Sequence, residues 1–63
     1  MTDTTECAIL RTLCGCERVL WVGRSTSEVI VPLPRAEGGE MQDRTFRRQG
    51  RQLGVALFVE ASA

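Results

Sequence analysis

Three cysteines are the residues of this 63-residue chain whose type and spacing are suited to chemistry. Cys14 and Cys16 flank a single glycine, Cys7 lies seven positions before Cys14, and the chain contains no histidine. Thiolates bind soft metal ions and exchange with disulfides, so the cluster raises two hypotheses, a metal site and a redox pair. A site built from all three cysteines requires that their sulfur atoms come together.

The spacing argues against such a complete site. Seven residues span about 23 Å along a strand and rise about 10 Å along a helix. A disulfide needs Cα atoms within about 7 Å, so Cys7 and Cys14 meet only across a bend or between two chains. Structural zinc prefers four Cys or His ligands, so Cys7, Cys14 and Cys16 would need Glu17 or a symmetry mate. We expect no cofactor and three free thiols, with Cys7 as a small buried hydrophobic residue, and keep zinc as the alternative.

The sequence lacks two residue types, histidine and lysine, on which many catalytic sites depend. Without histidine, a cysteine nucleophile has no imidazole base, and without lysine Schiff-base chemistry is excluded. The eight acidic residues are scattered, with no pairing that suggests acid–base work. We therefore expect a protein that is not an enzyme.

The segment 44–51 holds four arginines around one aromatic residue, Phe46. Arg44, Arg47, Arg48 and Arg51 form an alternative nucleic-acid site, in which the arginines hold phosphates and Phe46 stacks on a base. On a strand, however, Phe46 and Arg48 share one face while Arg47 takes the other. The favoured interpretation is a solvated hairpin rim whose arginines pair with Asp43, Glu40 or Glu60. Because the net charge is zero, we do not expect nucleic acid as a partner.

Runs of β-branched and aromatic residues, separated by turns that contain glycine, predict five short strands. They lie within residues 6–14, 18–22, 28–33, 45–49 and 55–60. The first segment also fits a helix capped at Asp3, but a hairpin with the second favours the strand. Segment 34–43, with two adjacent glycines and no periodicity, predicts a long flexible loop.

The chain is therefore predicted to be one all-β domain, residues 1–63, with a small antiparallel sheet. Its order is a hairpin, a third strand, the long loop and a second hairpin. The predicted core residues are those of one face of each strand: Ile9, Leu13, Val19, Trp21, Val29, Val31, Phe46, Val55, Leu57 and Val59. Because several strands are apolar on both faces, we expect the sheet to curl into a small barrel or to meet another chain.

Two-sided apolar strands in so short a chain favour a non-enzymatic protein–protein interaction module. The residues predicted to bind the partner are Trp21, Leu20, Val22 and Ile30. The partner is either another protein or a second copy in a homodimer. No apolar run reaches the roughly 18–20 residues of a membrane span, and the N-terminus has no secretory pattern, so we expect a cytoplasmic protein without a membrane partner.

The sequence resembles small proteins encoded by bacteriophages and prophages. The resemblance rests on Leu10-Arg-Thr-Leu-Cys-Gly-Cys-Glu-Arg18, on the segments 29–33 and 44–48, and on the final strand 54–60. It implies a phage accessory protein in the host cytoplasm that modulates a host protein, or a minor virion or assembly component. It supplies no activity and no functional residues.

Overall fold

The computed structural model describes residues 4–35 and 37–61, which form five strands. They are β1 Thr5–Arg11, β2 Glu17–Gly23, β3 Glu28–Pro34, β4 Met41–Gln52 and β5 Val55–Glu60. The all-β class and the five strands are confirmed. The first segment is a strand rather than a helix, and it ends at Arg11 because the chain turns immediately afterwards.

The strands form one sheet in the order β2-β1-β5-β4-β3. The hairpin pairs β1 with β2, β3 with β4 and β4 with β5 are antiparallel, whereas β1 and β5 run parallel. The sheet is therefore mixed and not wholly antiparallel as predicted. The parallel pair joins the two hairpin units, since β5 returns along the chain to lie beside the first strand.

The long strand β4 is responsible for the curl of the sheet. Its first half, Met41–Arg47, pairs with β3, and its second half, Phe46–Gln52, pairs with β5. The register shifts between Arg48 and Gly50, where Gly50 has a φ of 149°. A bulge bends a strand and increases its twist, so β4 wraps the two halves of the sheet into a half-barrel.

The core lies on the concave face of this half-barrel. Phe46, Phe58 and Leu10 are the largest fully buried side chains, and Ala8 and Ala56 face each other across the parallel pair at 0% exposure. The remaining core residues are Val22 and Leu33, with Leu20, Val29 and Val31 packed against them. Alanines beside phenylalanines fill the narrow concave side without overpacking it.

The prediction of the core face was wrong for β1, β2 and β5. Phe46 is buried as predicted, and Val29 and Val31 contact the core, but the other predicted core residues do not belong to the buried cluster. Those residues are Ile9, Leu13, Val19, Trp21, Val55, Leu57 and Val59; Val19, Trp21 and Leu13 are about two-thirds exposed. The physical reason is that both faces of these strands are apolar, so strand alternation alone does not identify the buried face.

The connection between β3 and β4 is shorter than the predicted loop 34–43. Met41, Gln42 and Asp43 pair with Pro34, Leu33 and Pro32, so the ladder extends to both ends of the connection. β3 ends at Pro34 and β4 begins at Met41, and Arg35 N–H donates to the Glu40 carbonyl at 2.8 Å. The flexibility of this loop stays a prediction.

The β4–β5 hairpin closes with a two-residue turn, Leu53-Gly54, between the paired residues Gln52 and Val55. Both turn residues have positive φ, 54° for Leu53 and 80° for Gly54, which is the type I′ geometry. A leucine in this left-handed region carries a steric cost of about 1–2 kcal/mol, and its side chain is 96% exposed. The turn therefore stores strain that no packing of Leu53 offsets.

Replacing Leu53 with asparagine, which tolerates positive φ, should raise the free energy of unfolding by about 0.5–1 kcal/mol. Urea denaturation followed by circular dichroism measures the change. The matched control is Leu13→Asn, since Leu13 is also exposed but has an ordinary negative φ. Equal effects of the two substitutions would contradict this account of the turn.

Candidate functional sites

The Arg48 side chain connects four parts of the fold. Its guanidinium lies over the ring of the core residue Phe58, 4.9 Å from the ring centroid. Its Nη1 donates to Glu6 Oε2 of β1 at 2.8 Å, and its Nε donates to the Thr26 carbonyl at 2.8 Å. Its Nη2 reaches the carbonyls of Gly23 and Arg24 at 3.3 Å. This one cation therefore holds the β2–β3 turn and β1 against the core.

Glu6 is the buried anion of this cluster, at 7% exposure. Besides Arg48, it forms an ion pair with Arg51, whose Nη2 lies 2.6 Å from Glu6 Oε1. Arg51 comes to this side of the sheet because the bulge at Gly50 shifts the register, so that Arg51 lies opposite Ala56. Burial raises the pKa of Glu6, but the hydrogen bond from Arg48 and the charge of Arg51 outweigh it and hold the pKa below its ordinary value.

A second ion pair joins Arg44 and Glu60 at the opposite end of the concave face. Arg44 donates from Nε to Glu60 Oε2 at 2.8 Å and from Nη2 to Glu60 Oε1 at 2.9 Å. The Leu13 N–H also donates to Glu60 Oε1, at 3.0 Å. The hydrogen bond from Arg44 is the main reason that the pKa of Glu60 lies below its ordinary value. This pair ties the β1–β2 loop to β4 and β5.

All four arginines of the predicted nucleic-acid patch are held by carboxylates. Arg44 pairs with Glu60 as one of the predicted rim contacts, Arg48 and Arg51 pair with Glu6, and Arg47 pairs with Glu28 at 3.0 Å. Arg47 lies on the opposite face of β4 from Arg44 and Arg48, as the strand interpretation expects. The structure therefore does not gather these arginines into one uncompensated surface.

The cysteines separate into two locations. Cys7 lies in β1 opposite Trp21, on the convex face, half-buried. Cys14 and Cys16 are exposed in the β1–β2 loop, with their sulfur atoms 3.4 Å apart. The alternative zinc site of Cys7, Cys14 and Cys16 is therefore wrong in its geometry, because Cys7 belongs to another face. Within residues 4–35 and 37–61 no three His, Cys, Asp or Glu side chains gather into a metal-binding group.

The convex face carries apolar residues in adjacent rows across three strands. Val19 of β2 lies opposite Ile9 of β1, which lies opposite Leu57 of β5. Trp21 and Val19 are 68% and 69% exposed, and both belong to the edge strand β2. We call the surface formed by Cys7, Ile9, Val19, Trp21, Val55, Leu57 and Val59 the convex patch. It extends without interruption over three neighbouring strands.

The four predicted partner-binding residues divide between the two faces. Trp21 and Ile30 are exposed on the convex side. Val22 is buried in the core and Leu20 packs against the core. The prediction that these two residues lie on an exposed binding surface is therefore wrong. The alternation of a strand requires this division, since Trp21 and its neighbours Leu20 and Val22 cannot share a face.

Sequence reasoning missed Glu6 and the role of Arg48. Glu6 is predicted as an ordinary scattered acid, yet it accepts two arginines from a strand more than forty residues away. The available signal is the strand alternation itself: Glu6 shares a face with Ala8 and Leu10, and the face of Phe46 includes Arg48. A carboxylate and an arginine on buried faces of one small sheet are expected to pair.

The comparisons give no relative for this arrangement. Scans against family models, curated proteins and solved structures each found no match to the chain. The resemblance to bacteriophage proteins accordingly stays a prediction. Among the residues that the structure describes, no helix is long and apolar enough to cross a membrane.

The lowered pKa values of Glu6 and Glu60 predict loss of stability in acid. A carboxyl group whose pKa is lower in the folded state stabilises the fold above its ordinary value of 4.5, and this contribution is lost as the pH falls through the folded-state pKa. Urea midpoints measured from neutral pH to about pH 3 should therefore decrease most steeply below the ordinary value. A Glu6→Gln variant should be less stable at neutral pH and should depend less on pH.

Glu17→Gln is the matched control for this test. Glu17 pairs with Arg11 in an exposed ion pair whose two side chains are 42% and 52% accessible. Such pairs are screened by water, so this variant should keep the parent's stability and its steep acid dependence. A Glu6→Gln variant with the parent's pH profile would contradict the assignment of the buried anion.

Proposed function

We propose that this protein is a non-enzymatic interaction module whose convex patch packs against a second copy of the same chain. The observation that supports the proposal is the continuous apolar surface on β2, β1 and β5, with Trp21 at its exposed edge. Tryptophan contributes more than most residues at the centre of an interface, and adjacent apolar rows across three strands fit a flat partner surface. The concave face already holds the buried core of the chain, so the convex face is the one that offers apolar side chains to a partner.

Charge favours a second copy as the occupant. The chain has eight basic and eight acidic residues and a net charge of zero, so two copies do not repel each other at long range. On the convex side the ion pairs Arg11–Glu17 and Arg47–Glu28 each carry both signs. A twofold interface brings the same surface to itself, and a mixed-charge rim around an apolar centre is self-complementary under that operation.

The size of the patch sets the strength of the association. Three strands at about 4.8 Å spacing and seven residues at about 3.3 Å rise cover roughly 330 Å² of projected area. This is well below the roughly 800 Å² per partner of a stable complex. We therefore expect a weak dimer with a dissociation constant in the micromolar range or above, in rapid exchange with the monomer.

Self-association also suits the limited core of a 63-residue domain. Seven hydrophobic residues form the buried cluster, and small domains commonly gain stability from oligomerisation. Packing two convex patches together removes Trp21, Val19 and Ile9 from water in both copies. The same surface serves the wider proposal of a phage accessory or assembly protein, because a dimer presents two identical edge strands to a further partner.

Sedimentation equilibrium between about 10 and 500 µM should show a reversible monomer–dimer equilibrium for the parent chain. Trp21→Glu, which places a charge on the convex patch at one of its most exposed residues, should weaken the association at least tenfold while leaving the circular dichroism spectrum unchanged. Because Trp21 is the chain's one tryptophan, its emission in the parent should also shift to shorter wavelength as the dimer forms.

The control is Leu53→Glu, the same change at an apolar side chain that lies in the β4–β5 turn and outside the convex patch. This variant should dimerise like the parent. A parent chain that stays monomeric throughout the concentration range would overturn self-association. Equal loss of dimer in both variants would show that the convex patch is not the interface.

A further inference from the structure

The β1–β2 loop holds two thiols in a fixed arrangement. Thr12 N–H donates to the Cys16 carbonyl at 2.9 Å, and Cys16 N–H donates to Thr12 Oγ1 at 3.0 Å. Gly15 N–H donates to the Thr12 carbonyl, and Gly15 adopts a φ of 92°, which favours glycine. The loop therefore closes on Thr12, which is only 5% exposed, and directs Cys14 and Cys16 to the same side.

The distance between the two sulfur atoms, 3.4 Å, is a non-bonded contact. A disulfide requires about 2.05 Å, so the sulfur atoms need to approach by little more than 1 Å. Residues two apart in a turn keep their Cα atoms within the range that a disulfide tolerates. The two side chains therefore already face each other at a distance from which a disulfide requires only a small approach of the sulfur atoms.

The surroundings of Cys14 stabilise its thiolate. Thr12 Oγ1 lies 3.1 Å from Cys14 Sγ. The pKa of Arg44 is raised mainly by its hydrogen bond to Glu60, and to a smaller extent by the charge of Cys14. The Thr12 hydroxyl, followed by the backbone and thiol of Cys16, lowers the pKa of Cys14 to about 7. The hydrogen bond and charge of Cys14 in turn raise the pKa of Cys16. The two thiols therefore differ in pKa. Cys14 is suited to attack an external disulfide first, and Cys16 is suited to attack the resulting mixed disulfide.

A hollow of about 180 Å³ opens beside the two thiols. It is lined by Thr12, Cys14, Cys16, Arg18, Leu33, Pro34 and Arg44. Arg18 adds a positive charge to this lining, whereas the charge of Arg44 is already paired with Glu60, and Leu33 with Pro34 gives the hollow an apolar wall. This combination suits a small molecule that carries carboxylates next to a disulfide bond.

We propose that Cys14 and Cys16 form a dithiol–disulfide pair that exchanges with small anionic disulfides of the glutathione class. The Cys14 thiolate attacks one sulfur of the small disulfide, forms a mixed disulfide and releases one small thiolate. Cys16 then loses its proton to solvent and attacks Cys14 Sγ, which releases the second small thiolate and leaves a Cys14–Cys16 disulfide. The chain gives up two electrons, and the small disulfide is reduced to two thiols.

The expected advantage of Cys14 is modest and depends on pH. Relative to a thiol with the ordinary pKa of 9.0, a pKa of about 7 raises the thiolate fraction at neutral pH about fiftyfold. The less basic thiolate is about tenfold less nucleophilic, which leaves a net gain of about fivefold. Above about pH 8 the order reverses, because the larger thiolate fraction no longer outweighs the lower nucleophilicity of the less basic thiolate.

The test uses the full chain with oxidised glutathione and mass spectrometry. The parent should lose two hydrogens and form the Cys14–Cys16 disulfide, while Cys16→Ser should stop at a mixed disulfide on Cys14. The serine hydroxyl keeps a hydrogen-bond donor beside Cys14. The reaction rate of this variant should level off near pH 7, whereas Cys14→Ser should react about fivefold more slowly at neutral pH and continue to accelerate towards pH 9.

Two controls make the result decisive. The first control is cystamine, a disulfide of opposite charge. The rate of each disulfide with Cys16→Ser is divided by its rate with a free thiol. The normalised rate should be lower for cystamine than for oxidised glutathione. Cys7→Ser should exchange with oxidised glutathione at the parent's rate, since Cys7 lies on the convex face and away from Cys14 and Cys16. A parent chain in which Cys7 and Cys14 react equally, or in which no internal disulfide forms, would overturn the proposal. Because Cys14 and Cys16 lie outside the convex patch, loss of dimerisation and loss of exchange are separate outcomes.

Discussion

The Arg48 guanidinium is the interaction on which the arrangement of this sheet depends. It lies at the point where β4 bends, covers the ring of Phe58 and makes its hydrogen bonds to Glu6 and to three backbone carbonyls of the β2–β3 turn. These partners come from opposite ends of the chain. A lysine has no planar fork of donors and cannot make the same set of contacts.

This cluster determines which face of the sheet is covered. Glu6 forms its ion pairs with Arg48 and Arg51 on the concave side, where an unpaired buried carboxylate would be costly. The alanines and phenylalanines of β1, β4 and β5 then fill the same side. The branched residues and Trp21 then lie on the convex side. There they form an apolar surface that the core of the sheet does not cover. The exposure of the convex patch is therefore linked to the ion pairs on the concave side.

Local chemistry in the sequence predicts the strands well and their faces poorly. Glycine turns and β-branched runs locate all five strands, and the hairpin pairs follow from short connections. In β5, however, Val55, Leu57 and Val59 are as apolar as Ala56 and Phe58, so alternation alone does not identify the inner face. The parallel contact of β1 with β5 and the capture of Glu6 by Arg48 depend on residues far apart in sequence. A single sequence contains no local signal for such contacts. The contact of the Thr12 hydroxyl with Cys14 Sγ likewise requires the closed loop.

The most direct test of this account is the free energy of unfolding of Arg48→Lys compared with that of Arg47→Lys. Arg47 is the adjacent residue on the opposite face, in an exposed pair with Glu28, so its replacement should change stability by less than about 0.5 kcal/mol. Arg48→Lys keeps the positive charge but loses most of the hydrogen bonds, and should cost about 2–4 kcal/mol or abolish the cooperative urea transition. Similar, small effects of the two substitutions would contradict the central role of Arg48.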